Sequence, residues 1–196
     1  MRVGFFYINS DYTGLALDSK HYIDFESLDN DIESGVSVKT RWQPLLVKKK
    51  SPKKDADIMD LSPYLSMVVT KRAKDIFEPL FGDKVEFLPL INPEGNLYVV
   101  NVLNVIDALD VKKSRAKVYY HEDENGESTD KIKLVSFYEP SVFKKSLIEK
   151  EYLFRIPYNY RILFTENFKN LCYEHKIEGM TIGAEFDDEG LFFTSE

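Results

Sequence analysis

The chain has one cysteine, Cys172, in 196 residues. It can form no intramolecular disulfide, and no thiolate cluster can hold a metal. Histidine is almost as scarce. His21, His121 and His175 stand at no metal-motif spacing from one another, and HExxH is absent. There is no GxSxG nucleophile turn and no phosphate-binding glycine loop. Positive charge is also short: 26 Lys and Arg against 33 Asp and Glu give a net charge of −7. Nonspecific nucleic-acid binding needs a basic surface that this chain lacks. No apolar run approaches the roughly 18 residues of a membrane span. The start, MRVGFFYINSDYTG, lacks the charged-then-apolar pattern of a signal peptide. These absences predict a soluble, cytoplasmic protein with no cofactor, no metal and neither nucleic acid nor membrane as partner.

What is present is apolar and aromatic: 43% hydrophobic residues, with 14 Phe and 12 Tyr beside the lone Trp42. That content argues against disorder, and the bias toward Phe and Tyr suits sheets. A chain of this length buries about 70% of its unfolded surface. We read residues 1–196 as a single domain, with an N-terminal β region over 1–45, a loop over 46–60 and an α+β core over 61–196.

The core is organised around Leu97–Asp110, LYVVNVLNVIDALD. Apolar side chains fall on both faces of this extended segment, which predicts a strand covered on both sides. The turn signal Asn92-Pro93-Glu94-Gly95-Asn96 joins it to a preceding strand, Val85 to Leu90. Asn101 and Asn104 are polar intruders, read as amides that bond backbone at a bulge or strand end. Asp107 and Asp110 read as caps or turn residues.

Upstream, Val3 to Ile8 reads as a strand and Asn9 to Gly14 as turn-rich. His21 to Glu26 alternates weakly, as a second strand. Asp29, Asp31, Glu33, Ser34 and Gly35 form an acidic loop, and Val36 to Trp42 alternates again. No helix is expected before residue 45. The basic run Lys48-Lys49-Lys50-Ser51-Pro52-Lys53-Lys54 reads as a solvated loop.

Two segments share a strand–Thr–helix pattern, MVVTKRAKDIF and ILFTENFKNLC. Thr70 and Thr165 are the N-caps. Ala73, Ile76 and Phe77 make one helical stripe, and Phe168, Leu171, Cys172 and His175 the other. Pro79 should end or kink the first helix at Glu78, and Gly82 closes that unit. Between the two units, Lys117–His121 and Lys131–Tyr138 are strands joined by an acidic turn with the hairpin signal Asn125-Gly126. A short helix is expected over Pro140 to Leu147, starting at Ser141. Met180 to Phe186 is a strand, and Glu185 to Gly190 leads through a second acidic turn to the apolar Leu191-Phe192-Phe193.

The order of segments from Trp42 to Gly179, about 70% of the chain, resembles immunity protein family eleven of bacterial polymorphic toxin systems. The matching pieces are Trp42 with Pro44; Asp57; Val68-Val69-Thr70 with Ala73, Ile76 and Phe77; and Glu86-Phe87-Leu88-Pro89. The most specific block follows: Tyr98, Asn101-Val102-Leu103, Val105 and Asp107-Ala108-Leu109-Asp110. Phe154-Arg155 and Phe164-Thr165 with Phe168 and Lys169 complete the series. The resemblance implies a non-enzymatic protein that binds and neutralises a toxin, and it brings no catalytic residues with it.

The sequence therefore predicts an α+β fold, a largely antiparallel and curved sheet with two helices packed on it. The expected function is that of an immunity protein occluding the active surface of a cognate protein toxin. An acidic inhibitor meets a basic toxin with complementary charge. Asp123, Glu124 and Glu127 in one turn, and Asp187, Asp188 and Glu189 in the other, are candidates to lead that contact. Trp42, Tyr119, Tyr120 and Tyr138 are candidate anchors, since Tyr and Trp are favoured at interface hot spots. Two other readings stand beside it: a non-enzymatic interaction or scaffold module, and a hydrolase using paired carboxylates.

Overall fold

The computed structural model describes residues 1–196 except 9–10, 19–21, 51–52, 63–65, 139, 191 and 194–196. In chain order the elements are β1 (Val3–Ile8), β2 (Leu15–Leu17), α1 (Tyr22–Glu33), β3 (Leu45–Lys49), β4 (Ile58–Ser62), β5 (Ser66–Thr70), α2 (Lys71–Phe81), β6 (Val85–Ile91) and β7 (Leu97–Val102). They continue with β8 (Arg115–Glu122), β9 (Ser128–Tyr138), α3 (Lys145–Ile148), β10 (Leu153–Phe154), β11 (Leu163–Thr165), α4 (Glu166–Glu174), β12 (Met180–Phe186) and β13 (Phe192–Phe193). The class is α+β with curved, mostly antiparallel strands, as the sequence predicts, but the described strands form a barrel, a five-stranded sheet and a two-stranded ribbon where one sheet was expected.

The first half of the segment read as a central strand is central, but the strand ends at Val102, and beyond it only isolated bridges at Val105 and Leu109 form. β7 lies between β6 and β5 in a closed six-stranded barrel of order β2-β3-β6-β7-β5-β4. Its alternation divides its side chains between two cores. Leu97 and Val99 join Leu15, Leu61, Val68 and Leu88 in one; Val100 and Val102 join the helices in the other. The expected β6–β7 hairpin forms, with Val85 opposite Val102 and Leu90 opposite Leu97. Two pairings in the barrel, β2 with β4 and β3 with β6, are parallel.

Both strand–Thr–helix units form as read. Thr70 Oγ1 accepts from Ala73 N at 3.3 Å, and Thr165 Oγ1 from Asn167 N at 3.2 Å. The two helices meet in one core, where Phe168 lies 5.5 Å from Phe77 and 6.1 Å from Phe81 between ring centres. α2 does not end at Glu78. It runs through Pro79 to Phe81, whose ring stacks on Phe77 at 5.2 Å. Burial of Phe81 holds the last turn, and Gly82 at φ 58° donates its N–H to Glu78 O. His175 is not on the buried stripe: it is the exposed C-cap of α4.

β11 belongs to a second sheet, of order β10-β11-β1-β12-β13. The first strand of the chain is thus the middle strand of a sheet built otherwise from the C-terminal residues. At the link before β12, Gly179 has φ 107°, and a Cβ there would lie 2.0 Å from Ile58 O. Only glycine lets the backbone come so close to β4. β8 and β9 pair only with each other among the described residues, as a separate two-stranded ribbon. Its base is sunk in a third core, where Phe137 lies 5.9 Å from Phe143 and 6.1 Å from Phe186.

The N-terminal residues fold differently from the expectation of short strands without a helix. The described part of the predicted strand His21–Glu26 (Tyr22–Glu26) and the predicted acidic loop through Glu33 are one helix, α1. Leu28 and Ile32, four residues apart, are buried in the barrel core, and that packing overrides the weak alternation. Val36–Trp42 forms no strand. Val38 and Trp42 are buried while Val36 and Thr40 face out, and Arg41 N donates to Val38 O in a turn. The predicted loop over 46–60 holds most of β3 and the start of β4. Lys48 and Lys49 are strand residues, and Lys49 pairs with Asp55 and Glu94 at 2.7 and 2.6 Å. The basic run is therefore partly neutralised rather than simply solvated. The short helix expected from Ser141 is reduced to α3. Four α-helices, not two, occur among the described residues.

Candidate partner surface

The central block ends in a set of polar clamps. Asn101 Nδ2 donates to Val36 O at 2.9 Å and to Glu86 Oε2 at 3.0 Å. Glu86 also accepts from Ser37 Oγ and from Val38 N at 3.2 Å, so the two residues bind the segment that follows α1. Asn104 Nδ2 donates to Leu153 O at 3.0 Å and to Glu151 Oε2 at 2.8 Å, and Glu151 pairs with Lys84 at 2.7 Å. Both amides bond backbone near the end of the strand, as the sequence predicts. Asp107 pairs with Lys144 at 3.1 Å, and Asp110 accepts from Lys113 N in a turn.

Arg155 lies under this block and is 3% exposed. It donates through Nε to Val102 O at 3.3 Å and through Nη1 to Tyr160 O. Asp29 and Glu33, one turn apart on α1, act on it electrostatically. Burial pulls the guanidinium down to about 10, against these two carboxylates, so it stays charged at neutral pH. Burial also raises both acids above their ordinary values. Arg155 opposes that rise in each, while Glu26 adds to it at Asp29 and Asp29 adds to it at Glu33. Asp29 Oδ1 finds no hydrogen-bond donor. Gly35, at φ 71°, lets the chain leave α1 against Val105: a Cβ there would lie 2.6 Å from Val105 Cγ2.

Asp123, Glu124 and Glu127 stand at the tip of the β8–β9 ribbon, all exposed. Asp123 Oδ1 accepts from Asn125 N and Glu127 N, each at 2.9 Å, and Gly126 sits at φ 79°. These backbone donors hold the Asp123 carboxyl below its ordinary value. Asp123 therefore builds the turn, while Glu122, Glu124, Glu127 and Asp130 make no ion pair among the described residues.

The second acidic turn lies at the other end of the ribbon. Ser141 N donates to Gly190 O at 2.9 Å, and Ser141 Oγ donates to Tyr138 O at the foot of β9. The 11 residues of β9 separate the two turns by about 30 Å. Asp187 Oδ1 accepts from Glu189 N at 2.9 Å, and Asp188 binds the N-terminal amine at 3.2 Å. Glu189 is exposed. The structure does not bring the two clusters into one patch.

The candidate anchors divide. Tyr119 pairs with Leu134, and Tyr138 with Arg115, on one face of the ribbon, with Lys117 Nζ 4.6 Å from the Tyr119 ring centre. Tyr120, 44% exposed, is on the opposite face. Trp42 is 8% exposed and donates Nε1 to Pro89 O at 2.8 Å, which makes it a barrel-core residue and not a surface anchor. Sequence reasoning passed over Tyr158 and Tyr160, which are 54% and 53% exposed. Their signal was the run Pro157-Tyr158-Asn159-Tyr160, two tyrosines in a turn-forming segment.

No group of three or more His, Cys, Asp or Glu among the described residues could hold a metal ion. Burial pushes the Cys172 thiol up to about 12, the behaviour of an inert core side chain. No helix among the described residues is long and apolar enough to cross a membrane.

A search of curated proteins finds no match. The family model described as the immunity protein family, Imm11, matches residues 21–185, ending one residue short of the end of β12. The match thus takes in α1, the central block and the ribbon alike, and on it the chain belongs to the Imm11 immunity protein family.

Proposed function

We propose that the chain binds a cognate bacterial toxin as a non-catalytic inhibitor and occludes the toxin's active surface. Membership of an immunity protein family carries this reading. The ribbon supports it: a projecting two-stranded element anchored at its foot by Val135 and Phe137, with four uncompensated acids near its tip. Such a tip attracts a basic partner from a distance and speeds encounter. Tyr119, behind the tip, and Tyr138, at the foot of the same face, are suited to the close contact that follows. The toxin is expected to be basic, and the inhibitor to act in the cytoplasm. Trp42 has no part in this surface.

The test is capture of the partner on a tagged chain, from extracts of the producing cells and of their neighbours. A stoichiometric partner that kills when expressed alone, and is harmless when the chain is co-expressed, is the expected result. A partner that is harmless alone, or lethal with or without the chain, contradicts the proposal.

A further inference from the structure

Four exposed hydrophobic side chains lie on three distant segments whose backbones meet near one buried cation, Arg155. Val36 is 46% exposed, Val105 41%, Tyr158 54% and Tyr160 53%. Gly35 places the Val36 segment against Val105. Val105 is bridged in parallel to Arg155, and Arg155 binds Tyr160 O. Tyr158 O accepts from Val135 N at 2.8 Å, so the patch reaches the foot of the ribbon.

One edge of this patch is strongly anionic. Between Tyr22 and Val38 the chain carries five acids and no Lys or Arg. Asp29 and Glu33 face Arg155, which is already shared with two backbone carbonyls. Two cations close by in the chain are engaged, Arg41 with Asp31 at 2.5 Å and Arg161 over the Phe5 ring at 4.4 Å, while Lys39 makes no ion pair among the described residues. Like charges one turn apart, and acids in the last turn of a helix, both oppose helix formation. Packing compensates, and a cation from outside would relieve what remains. Exposed tyrosines near two carboxylates that share one cation, itself engaged by two backbone carbonyls, suit one kind of group above others. A guanidinium can lie flat on a tyrosine ring while its N–H groups meet a carboxylate.

We infer that the surface formed by Val36, Val105, Tyr158 and Tyr160 beside Asp29 and Glu33 docks an arginine-bearing segment of a protein partner. That this partner is the toxin rests on the function proposed above. The ribbon tip then steers the partner, and this patch holds it.

A tetra-arginine peptide is the probe, added to the intact ¹⁵N-labelled chain while its amide shifts are followed. Saturable binding is expected, with the largest shifts at Asp29, Glu33, Val105 and Tyr160. Glu33→Gln and Tyr160→Ala should each weaken it by about threefold, and the free variants' spectra report whether they fold. Glu124→Gln with Glu127→Gln, at the tip, should leave it unchanged. Tetra-lysine should bind more weakly, since an ammonium cannot stack as a guanidinium does. Shifts centred on the ribbon tip or spread evenly over the acidic surface, or an affinity unchanged in both patch variants, overturn the inference. Its failure is separable from that of the immunity reading. A peptide that maps here while no toxin is neutralised removes the immunity function alone, and successful rescue with the peptide mapping elsewhere removes this inference alone.

Discussion

Arg155 shows how a single side chain ties the chain together. It joins the end of β7, the loop at Tyr160 and, through charge, α1. Removing it leaves two carbonyls without their donor and two part-buried acids without their cation. Arg155→Ala should therefore cost about 3 kcal/mol in urea unfolding, and a loss under about 1 kcal/mol would contradict its role. Asp29 behaves differently. Its pKa in the folded state lies above the ordinary 3.8, with burial the largest cause. The folded state thus binds the proton more tightly than the unfolded one. Stability falls as pH rises through that window and stays lower above it. Asp29→Asn removes this dependence, so the variant should gain in Tm relative to the parent between about pH 3 and pH 7. An equal difference at both pH values, or a gain toward acid, would show that Arg155 dominates instead. At this scale the sequence was partly legible. Asn101 and Asn104 could be read correctly, because a buried amide in a strand has few options but to bond nearby backbone. The partnership of Arg155 with α1 could not, because no local pattern links residues more than 120 positions apart.

Among the elements, the two strand–Thr–helix units were legible because each carries its start signal and its stripe within a dozen residues. Their meeting at Phe168 was not, since that depends on the sheets bringing distant strands together. Phe168, fully buried between both helices, should cost about 3–5 kcal/mol as Phe168→Ala. Thr70→Ala loses the α2 cap, about 1 kcal/mol, and also a 3.1 Å bond to Asp57, which itself pairs with Arg72. Denaturant midpoints that rank these two in the reverse order would contradict this account of the joint core. α1 was misread for a physical reason. Its acids crowd a helix end that favours bases, so the local chemistry argues against a helix. Burial of Leu28 and Ile32 in the barrel and the presence of Arg155 reverse that balance. Val36–Trp42 misled in the opposite way, its alternation arising from two buried anchors, Val38 and Trp42, in an irregular segment.

For the whole molecule, the ribbon and the −7 charge act together. Two acids of the proposed contact build turns: Asp123 and Asp187 each hold backbone N–H groups. Reversing those would break the turns, so the charge test belongs to Glu124, Glu127 and Glu189, which are exposed and make no ion pair among the described residues. Changing all three to Lys should slow association with the captured toxin about tenfold at low salt and flatten its salt dependence, while dissociation changes little. An unchanged on-rate would remove steering from the account. Sequence alone located both acidic turns but could not show that about 30 Å of ribbon parts them, nor that Trp42 is enclosed by the barrel. Surface chemistry is visible in a sequence, whereas the arrangement of that surface is set by the topology. The most direct test of the central claim is titration of the captured toxin's activity with the purified chain. Occlusion predicts a linear fall to zero at one equivalent of chain. A stoichiometric complex that retains the toxin's full activity would contradict it.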